Sequence, residues 1–338
     1  MSLPLVSILI PTYKRAALLP QAIQSALDQT YPRIEVLILD DCSPDNTTLA
    51  AAPFTSDPRV RYIRHPSNLG LPCNWKFGIE AARGEFFTIL HDDDAFEPTF
   101  VRNLLAPLLG DPTLVLSFCD QWVMDAAGHR SVEASDEMSA RFLRTYLPMG
   151  PIEDPCRAAL VDCRISIAAC LFRSSLVPAS YVSPLAGGSN DIWIFYQCLR
   201  TGHGAYYVPR RLANYRAHAG GMSADAPLYM VDGHLFRLEA MLSDAAMAPL
   251  HPQFRALRRR ALADKGLHLV HLGRRAEARR ALVGSLSMGP TRRAMGALAL
   301  SVCGVLGTRI VRGKRRPNAH AAESRSSTLI QSTSAYAD

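Results

Sequence analysis

Phe86-Phe87-Thr88-Ile89-Leu90-His91-Asp92-Asp93-Asp94 is the stretch that decides how this chain is read. An uncharged, mostly apolar run passes directly into three adjacent acids. The apolar run predicts a buried strand, and such a strand delivers its carboxylates at its C-terminal end. Open α/β sheets bind ligands there. Carboxylates held together repel unless a cation sits among them. Oxygen-rich clusters suit Mg²⁺ or Mn²⁺, often with substrate phosphates completing the shell. Aspartate is also common at turns and helix caps, so a solvated acidic turn is the competing reading of the triplet taken alone.

The flanking sequence favours a site. Val6-Ser7-Ile8-Leu9-Ile10 is a strand pattern that ends at Pro11-Thr12-Tyr13-Lys14-Arg15. Leu18, Leu19, Ile23, Ala26 and Leu27 then recur at helical spacing. A second strand, 34–39, runs into Asp40-Asp41-Cys42-Ser43, and a third, 60–63, leads to Asn68-Leu69-Gly70. A helix over about residues 73–82 closes at Arg83-Gly84, with the glycine placed as its C-cap. Strands alternating with helices predict a mostly parallel sheet with right-handed crossovers. In that sheet Thr12 and Tyr13, Asp40 and Asp41, and Asp92 to Asp94 share one edge.

Two nucleotide-binding devices are absent from the sequence. No Gly-x-Gly-x-x-Gly follows the first strand, and no phosphate loop ending in Gly-Lys-Ser/Thr is present. A nucleotide bound at this edge would have its phosphates neutralised by a metal on the acids. Asp41 can accept a hydrogen bond from a base N–H and Tyr13 can stack on the ring; equally, Tyr13 can pack on the sheet and Asp41 can cap the next helix.

The segments Val6 to Tyr13, Asp40-Asp41-Cys42-Ser43, Asn68-Leu69-Gly70, Ala82-Arg83-Gly84-Glu85-Phe86 and His91-Asp92-Asp93-Asp94 occur in order and at familiar spacing. Together they resemble family 2 glycosyltransferases of the GT-A fold, strongly over about residues 4–105 and loosely over 106–225. The resemblance implies an α/β fold, with a mixed, mostly parallel sheet flanked by helices, here followed by a C-terminal helical extension. It also implies a nucleotide-diphosphate sugar donor, Mn²⁺ or Mg²⁺, and inversion at the anomeric centre. Carried onto this chain, Pro11 and Tyr13 resemble the base-contacting turn and Asp41 the acid that recognises a pyrimidine. Asp92 to Asp94 resemble the DxD motif, with Asp93 preferred for the metal and Asp92 with Asp94 as the other possible pair. Thr12, Arg15, Asn68, Lys76 and Asp92 complete the implied donor set. The chain departs from the family pattern at His91, where many members carry Asp, and at Lys76, where many carry Asn.

The second half must supply the acceptor site and a base. Residues 165–172 have a strand pattern, and Gly187-Gly188-Ser189-Asn190-Asp191-Ile192-Trp193 joins a flexible turn to an amphipathic helix. Asp191 suits a helix N-terminus, where the dipole favours an acid; it also resembles the family's catalytic Asp, which deprotonates the acceptor hydroxyl. Residues 205–208 read as another short strand, followed by a turn. Beyond it, Asn214-Tyr215-Arg216-Ala217-His218, with Gly220, Gly221 and Ser223, resembles the element that closes over the pyrophosphate. There the resemblance gives His218 a metal or phosphate contact and Arg216 a share of the diphosphate charge. The implied metal set is Asp93, Asp94 and His218.

Composition bounds the rest. A chain of 338 residues supports a substantial catalytic core plus an appended element. Eight cysteines without a C-x-x-C pair predict buried thiols in a reducing compartment. The N-terminus lacks a basic leader, which points to a cytoplasmic protein. Charge is uneven: residues 250–316 hold 16 Lys/Arg against only Asp264 and Glu277. Helical patterns on either side of Gly273 predict a helical hairpin. Ala294 to Val311, apolar and flanked by arginines, predicts a helix lying on an anionic membrane surface, with packing on the catalytic domain or a true span as alternatives. No aromatic-interleaved motif supports nucleic-acid binding.

The expected organisation is a nucleotide-sugar half over 1–105, an acceptor half over 106–230, a basic helical extension over 231–316 and a disordered tail over 317–338. The expected activity is transfer of a sugar from a UDP- or dTDP-linked donor to a hydroxyl of a glycan or polyprenyl-linked acceptor, in bacterial surface polysaccharide synthesis. A nucleotidyltransferase and a non-catalytic sugar-binding scaffold are the competing classes; the former normally carries a Gly-rich basic loop where this chain has Pro11-Thr12-Tyr13.

Overall fold

Every residue of β1 (Val6–Thr12) and of β2 (Ile34–Asp40) is buried, as central strands covered on both faces must be. The computed structural model describes residues 3–218 and 228–302. These fall into two compact units, one drawn from Met1–Pro184 and Asn190–Ala219, the other from Leu185–Ser189 and Gly220–Asp338.

In the first unit, α1 (Leu19–Leu27) follows β1 and buries Leu19, Ala22, Ile23 and Ala26, one stripe at helical spacing. After β2 come α2 (Thr47–Ala51), β3 (Val60–Arg64), α3 (Leu71–Ala81) and β4 (Phe86–Ile89). β1 pairs in parallel with β2 and β4, and β2 with β3. The chain continues through β5 (Ala95–Phe96), α4 (Phe100–Gly110), β6 (Leu114–Met124), β7 (Arg130–Ser131), α5 (Val132–Arg141), β8 (Gly150–Pro151), α6 (Pro155–Leu160), β9 (Cys170–Arg173), α7 (Asn190–Leu199) and β10 (Gly204–Arg216). The sheet runs β3-β2-β1-β4-β9-β6-β10-β5, with β7 on β6 and β8 on β10. β6 and β10 are parallel, while β9 is antiparallel to β4 and β6. The sheet is therefore mixed and mostly parallel, as expected. A core of β1, β2 and β4 residues with α1 and α4, including Ile8, Ile38, Phe86, Leu19 and Leu104, fixes the edge where β1, β2 and β4 end.

Three local expectations change. Gly84 is not the C-cap of α3; Ala82 takes that place with extended backbone. Gly84 is required because a Cβ there would lie 2.7 Å from the Ser7 amide nitrogen and 2.6 Å from the Phe86 carbonyl. The strand expected over 165–172 is only β9, preceded by a turn of 3-10 helix at Ile167–Ala169. The short strand expected over 205–208 extends to Arg216 as one 13-residue strand. Register shifts between Val208 and Arg211 and between Arg211 and Ala213 absorb the polar interruption.

The second unit holds α8 (Leu228–Ser243), α9 (His251–His271), α10 (Arg275–Leu286) and α11 (Arg292–Val302). Gly273, with φ +76°, makes the turn between α9 and α10 that the sequence predicts. Ala263, Leu269, Val270, Ala278, Leu282, Ala294 and Ala297 form its core. Among the described residues no helix is long and apolar enough to cross a membrane. The 303–311 part of the expected surface helix, the 317–338 tail, and Gly220, Gly221 and Ser223 lie outside the described residues.

Candidate functional site

The turn after β1 joins the other two strand ends. The Thr12 carbonyl accepts from the Asp41 amide, so β1 and β2 leave the sheet together. One residue on, the Tyr13 amide donates to Asp92 Oδ2 at 3.3 Å, which ties β1 to the acids after β4. Lys14 has φ 58° and donates its amide to Ser43 Oγ, holding the turn against the β2 loop. The Tyr13 ring is left 41% exposed.

Asp41 is buried, and both its oxygens are engaged. Oδ1 accepts from the Leu69 amide at 2.6 Å and Oδ2 from the Gly70 amide at 2.9 Å. Asn68 Nδ2 donates back to the Asp41 carbonyl. The positive φ of Gly70, +80°, lets the chain turn over the carboxylate before α3 starts. Asp40, fully buried, accepts from the Tyr62 hydroxyl and the Ser43 amide, and Arg64 Nε lies 3.3 Å away.

The acids after β4 form the centre. One ligand atom from each of His91, Asp93 and Asp94 lies within 4.8 Å of the others. Asp94 is buried; Oδ1 accepts from the Arg216 amide at 2.9 Å. Its Oδ2 has no hydrogen bond among the described residues and only His91 Nδ1 at 3.4 Å. Asp93 Oδ2 faces His218 Nε2 at 3.0 Å and an Arg15 nitrogen at 3.9 Å, and Arg15 Nε lies 3.9 Å from Asp92 Oδ1.

Arg216 is only 4% exposed and braces this centre. Its Nε donates to the Asp93 carbonyl at 2.7 Å, one terminal nitrogen to the carbonyls of Asp125 and Ala126, and the other to Gln21 Oε1. The guanidinium is thus engaged by the protein itself, joining α1, the loop after β6 and the acids. Its four donations to protein oxygens make a bracing geometry, set beside the diphosphate role that the resemblance implies for Arg216. Gln21 had no sequence signal; it is one polar residue on a helix surface.

Electrostatics follow from crowding. Burial pushes Asp92 up to about 7, the neighbouring Asp93 charge adds to this, and Arg15 and His91 oppose it. Burial alone would lower His91, but its contact with Asp94 and the charges of Asp94, Asp93 and Asp92 outweigh that and raise it to about 9. Burial likewise raises Asp94. Two carboxylate ligands with an imidazole, one buried oxygen lacking a hydrogen-bond donor, and Asp92 and Asp94 pushed upward by burial and by the Asp93 charge make a donor set that fits a divalent cation.

The structure brings together Thr12, Tyr13, Arg15, Asp92, Asp93, Asp94, Arg216 and His218, with Pro11 buried in β1 behind them. Asp41 and Asn68 form the adjoining β2 corner. Lys76 is exposed on α3, and the buried polar residue of that helix is Asn74, bonded to His65 and to the Leu39 carbonyl. Asp191 stands in the first turn of α7, where Oδ1 accepts from the Ile192 amide at 2.7 Å. Of the metal set implied by resemblance, Asp93 and Asp94 cluster with His91, and His218 borders them through Asp93. His91 was passed over because the family pattern places an acid there.

Residues 7–158 match the family model described as glycosyl transferase family 2. Over 104 residues the chain is 38% identical to a putative colanic acid biosynthesis glycosyl transferase, WcaA, of Escherichia coli, covering 30% of this chain and 37% of that protein. It is 37% identical over 102 residues to the succinoglycan biosynthesis protein ExoO of Rhizobium meliloti, covering 30% and 29% respectively. An uncharacterized glycosyltransferase of Rickettsia felis is 36% identical over 115 residues, 33% of this chain and 19% of that one. The chain thus spans well under half the length of these curated relatives. Among solved structures, S. aureus TarS 1–349 in complex with UDP-GlcNAc superposes with TM-score 0.64 at 13% identity, covering 91% of this chain and 92% of that one. The mannosyltransferase PcManGT of Pyrobaculum calidifontis, in complex with GDP-Man and Mn²⁺, does so with TM-score 0.57 at 17% identity, covering 98% and 86%. The sheet order and these likenesses give the chain the GT-A fold, and residues 7–158 are similar to glycosyltransferase family 2.

Proposed function

We propose that this chain moves a sugar from a UDP- or dTDP-linked donor to a hydroxyl of a glycan or polyprenyl-linked acceptor, with inversion, during synthesis of a bacterial surface polysaccharide. The observation that carries the reading is the meeting of His91, Asp93 and Asp94 at the sheet edge where β1, β2 and β4 end. Open α/β sheets bind their ligands at that edge. The names of WcaA and ExoO support the polysaccharide context, and the nucleotide sugars bound to TarS and PcManGT support the donor class.

In this reading residues 1–105 hold the donor and 106–230 the acceptor. The Tyr13 ring stacks on the base. Asp41 keeps lone pairs beyond those engaged by Leu69 and Gly70, and these accept a base N–H. Arg15 and His218, both beside Asp93, face the diphosphate. Asp93, Asp94 and His91 would hold Mn²⁺ or Mg²⁺, which when bound neutralises the charge of the leaving diphosphate. Asp191 takes the proton of the acceptor hydroxyl as its oxygen bonds to the anomeric carbon and the bond to the diphosphate breaks. Arg216 works at one remove, its Nε holding the Asp93 carbonyl and its amide the Asp94 carboxylate. The enzyme acts on the cytoplasmic side, against the inner membrane face that presents the acceptor.

The test is nucleoside-diphosphate release from a panel of UDP-, dTDP- and GDP-sugars, with and without Mn²⁺. One donor is expected to turn over with the metal, and neither Asp93→Ala nor Asp191→Asn should retain transfer. Release of pyrophosphate from a nucleoside triphosphate, or no turnover of any donor, would overturn the reading.

A further inference from the structure

The helices of the second unit leave one chemically distinctive surface. On α10 the buried side is Ala278, Ala281, Leu282 and Ser285, so the opposite stripe, Ala276, Arg279, Arg280, Val283 and Ser287, is exposed. On α11, Ala294, Ala297 and Ser301 are buried, while Arg292, Met295, Gly296 and Ala299 are exposed. Both stripes repeat at helical spacing, and the two helices pack on each other. Neither stripe contains an acid. Arg279, Arg280 and Arg292 make no ion pair within 4.0 Å among the described residues, whereas Arg293 pairs with Asp264 and Arg274 with Glu277. Between the free cations stand two large apolar side chains, Val283 at 55% and Met295 at 48% exposure.

We propose that the exposed stripes of α10 and α11 dock this chain on an anionic lipid bilayer. Guanidinium groups at the headgroup level with Val and Met between them match the interfacial mode, in which a basic polar rim flanks side chains that enter the acyl boundary. Residues 251–302 carry 11 Lys/Arg against two acids, so their field is attractive to a negative surface beyond the stripes themselves. At 12 residues α10 is about 18 Å long, well short of the hydrocarbon thickness, and among the described residues no helix is long and apolar enough to cross a membrane, so these stripes are assigned to surface contact. A nucleic acid would use the same charge but not Val283 and Met295, and no aromatic side chain lies in either stripe for a base to stack on. The inference rests on the reading of a lipid-linked acceptor, and it adds the surface that brings the chain to it.

The experiment is flotation of the full chain with phosphatidylcholine vesicles, with and without phosphatidylglycerol. The chain is expected to float only with phosphatidylglycerol, and to be released as ionic strength approaches roughly 1 M, where the Debye length falls to about 3 Å. The triple variant Arg279→Gln, Arg280→Gln, Arg292→Gln should weaken binding on the order of tenfold or more, and Val283→Ser with Met295→Ser should weaken it without altering the salt dependence. Circular dichroism confirms that each variant folds, and donor hydrolysis in solution should match the parent chain. Flotation independent of phosphatidylglycerol, or a triple variant that floats like the parent, overturns the proposal. So does tighter binding to a DNA duplex than to the vesicles at equal salt. A chain that floats as expected yet turns over no nucleotide sugar would instead sink the glycosyltransferase reading and leave the lipid surface standing.

Discussion

Replacing Arg216 with Met separates a brace from a substrate contact. The substitution keeps much of the side-chain length and removes every donor. Four hydrogen bonds are lost: to the Asp93, Asp125 and Ala126 carbonyls and to Gln21 Oε1. Hydrogen bonds from a charged group contribute about 1.5–3 kcal/mol each when buried. Asp125, Ala126 and Gln21 are exposed residues, so their oxygens regain water when the guanidinium leaves. Only the Asp93 carbonyl bears most of its desolvation penalty, and the apolar thioether chain recovers some packing. The net loss should be about 2–4 kcal/mol. For a unit of this size that is a fall in Tm of roughly 5–15 °C. Trp75, Trp122 and Trp193 all lie in the first unit, so urea unfolding followed by tryptophan fluorescence reports on that unit alone. Arg216→Lys should fall between, since an ammonium keeps the charge but not the planar fork that reaches both sides. Mn²⁺ affinity should drop with stability in both variants, because the acids lose their backbone support. If Arg216→Met unfolds within about 1 kcal/mol of the parent while the KM for the donor rises, the guanidinium is touching the diphosphate and the brace is wrong.

Asp93→Ala should leave the fold intact and reduce metal-dependent turnover on the order of 10²-fold or more, read as nucleoside-diphosphate release; unchanged turnover would remove the acids from the chemistry. Asp41→Ala strips both acceptors from the Leu69 and Gly70 amides and should cost about 2–3 kcal/mol in urea, with Asp41→Asn costing less because its carbonyl oxygen still accepts. Gly84→Ala forces a methyl to within 2.7 Å of the Ser7 backbone and should destabilise by about 1–3 kcal/mol, against no effect if the strands part freely. Burial, with the Arg237 charge beside it, holds His234 well below its usual range. The imidazole therefore stays neutral when folded and takes up a proton only when unfolded, so its contribution is complete above about pH 6.5 and is lost as pH falls below that, at up to about 1.4 kcal/mol per pH unit. Circular dichroism melts at falling pH should show this slope, and His234→Gln should flatten it.

The parts of this fold that could be read directly are those where one strand is buried on both faces. β1, β2 and β4 are mostly apolar runs, each with one internal polar residue (Ser7, Glu35, Thr88), and each run gives way abruptly to polar residues, so both strand and site edge are visible in one dimension. β10 was harder. Pro209, Arg210 and Arg211 interrupt its pattern, and only the register shifts beside β6 let the strand continue through them. Residues 165–169 have the composition of a strand, yet hydrogen-bonded partners on β4 and β6 begin only at Cys170, so the preceding residues curl. Within the site, the acids announced themselves by adjacency. Arg216 did not, because its partners come from residues 21, 93, 125 and 126, and no sequence period connects them.

His91 shows how a departure from a family pattern can be the informative residue. A fourth acid at this position would add a further negative charge to three carboxylates in a nearly dry corner, where each added charge is expensive. An imidazole reverses the sign of that interaction. Raised to about 9, it stands as a cation at neutral pH against Asp94 and offsets part of the burial and Asp93 repulsion that together push Asp92 up to about 7. The same ring in its neutral form is a nitrogen ligand, with its lone pair within reach of the two acids' oxygens. On the proposed metal site one side chain would serve in both conditions, as an internal counter-ion when the acids stand alone and as a nitrogen donor when a metal is bound. Trp75, stacked 6.1 Å from the ring, and Asp94 fix its plane, so neither role requires the loop after β4 to move.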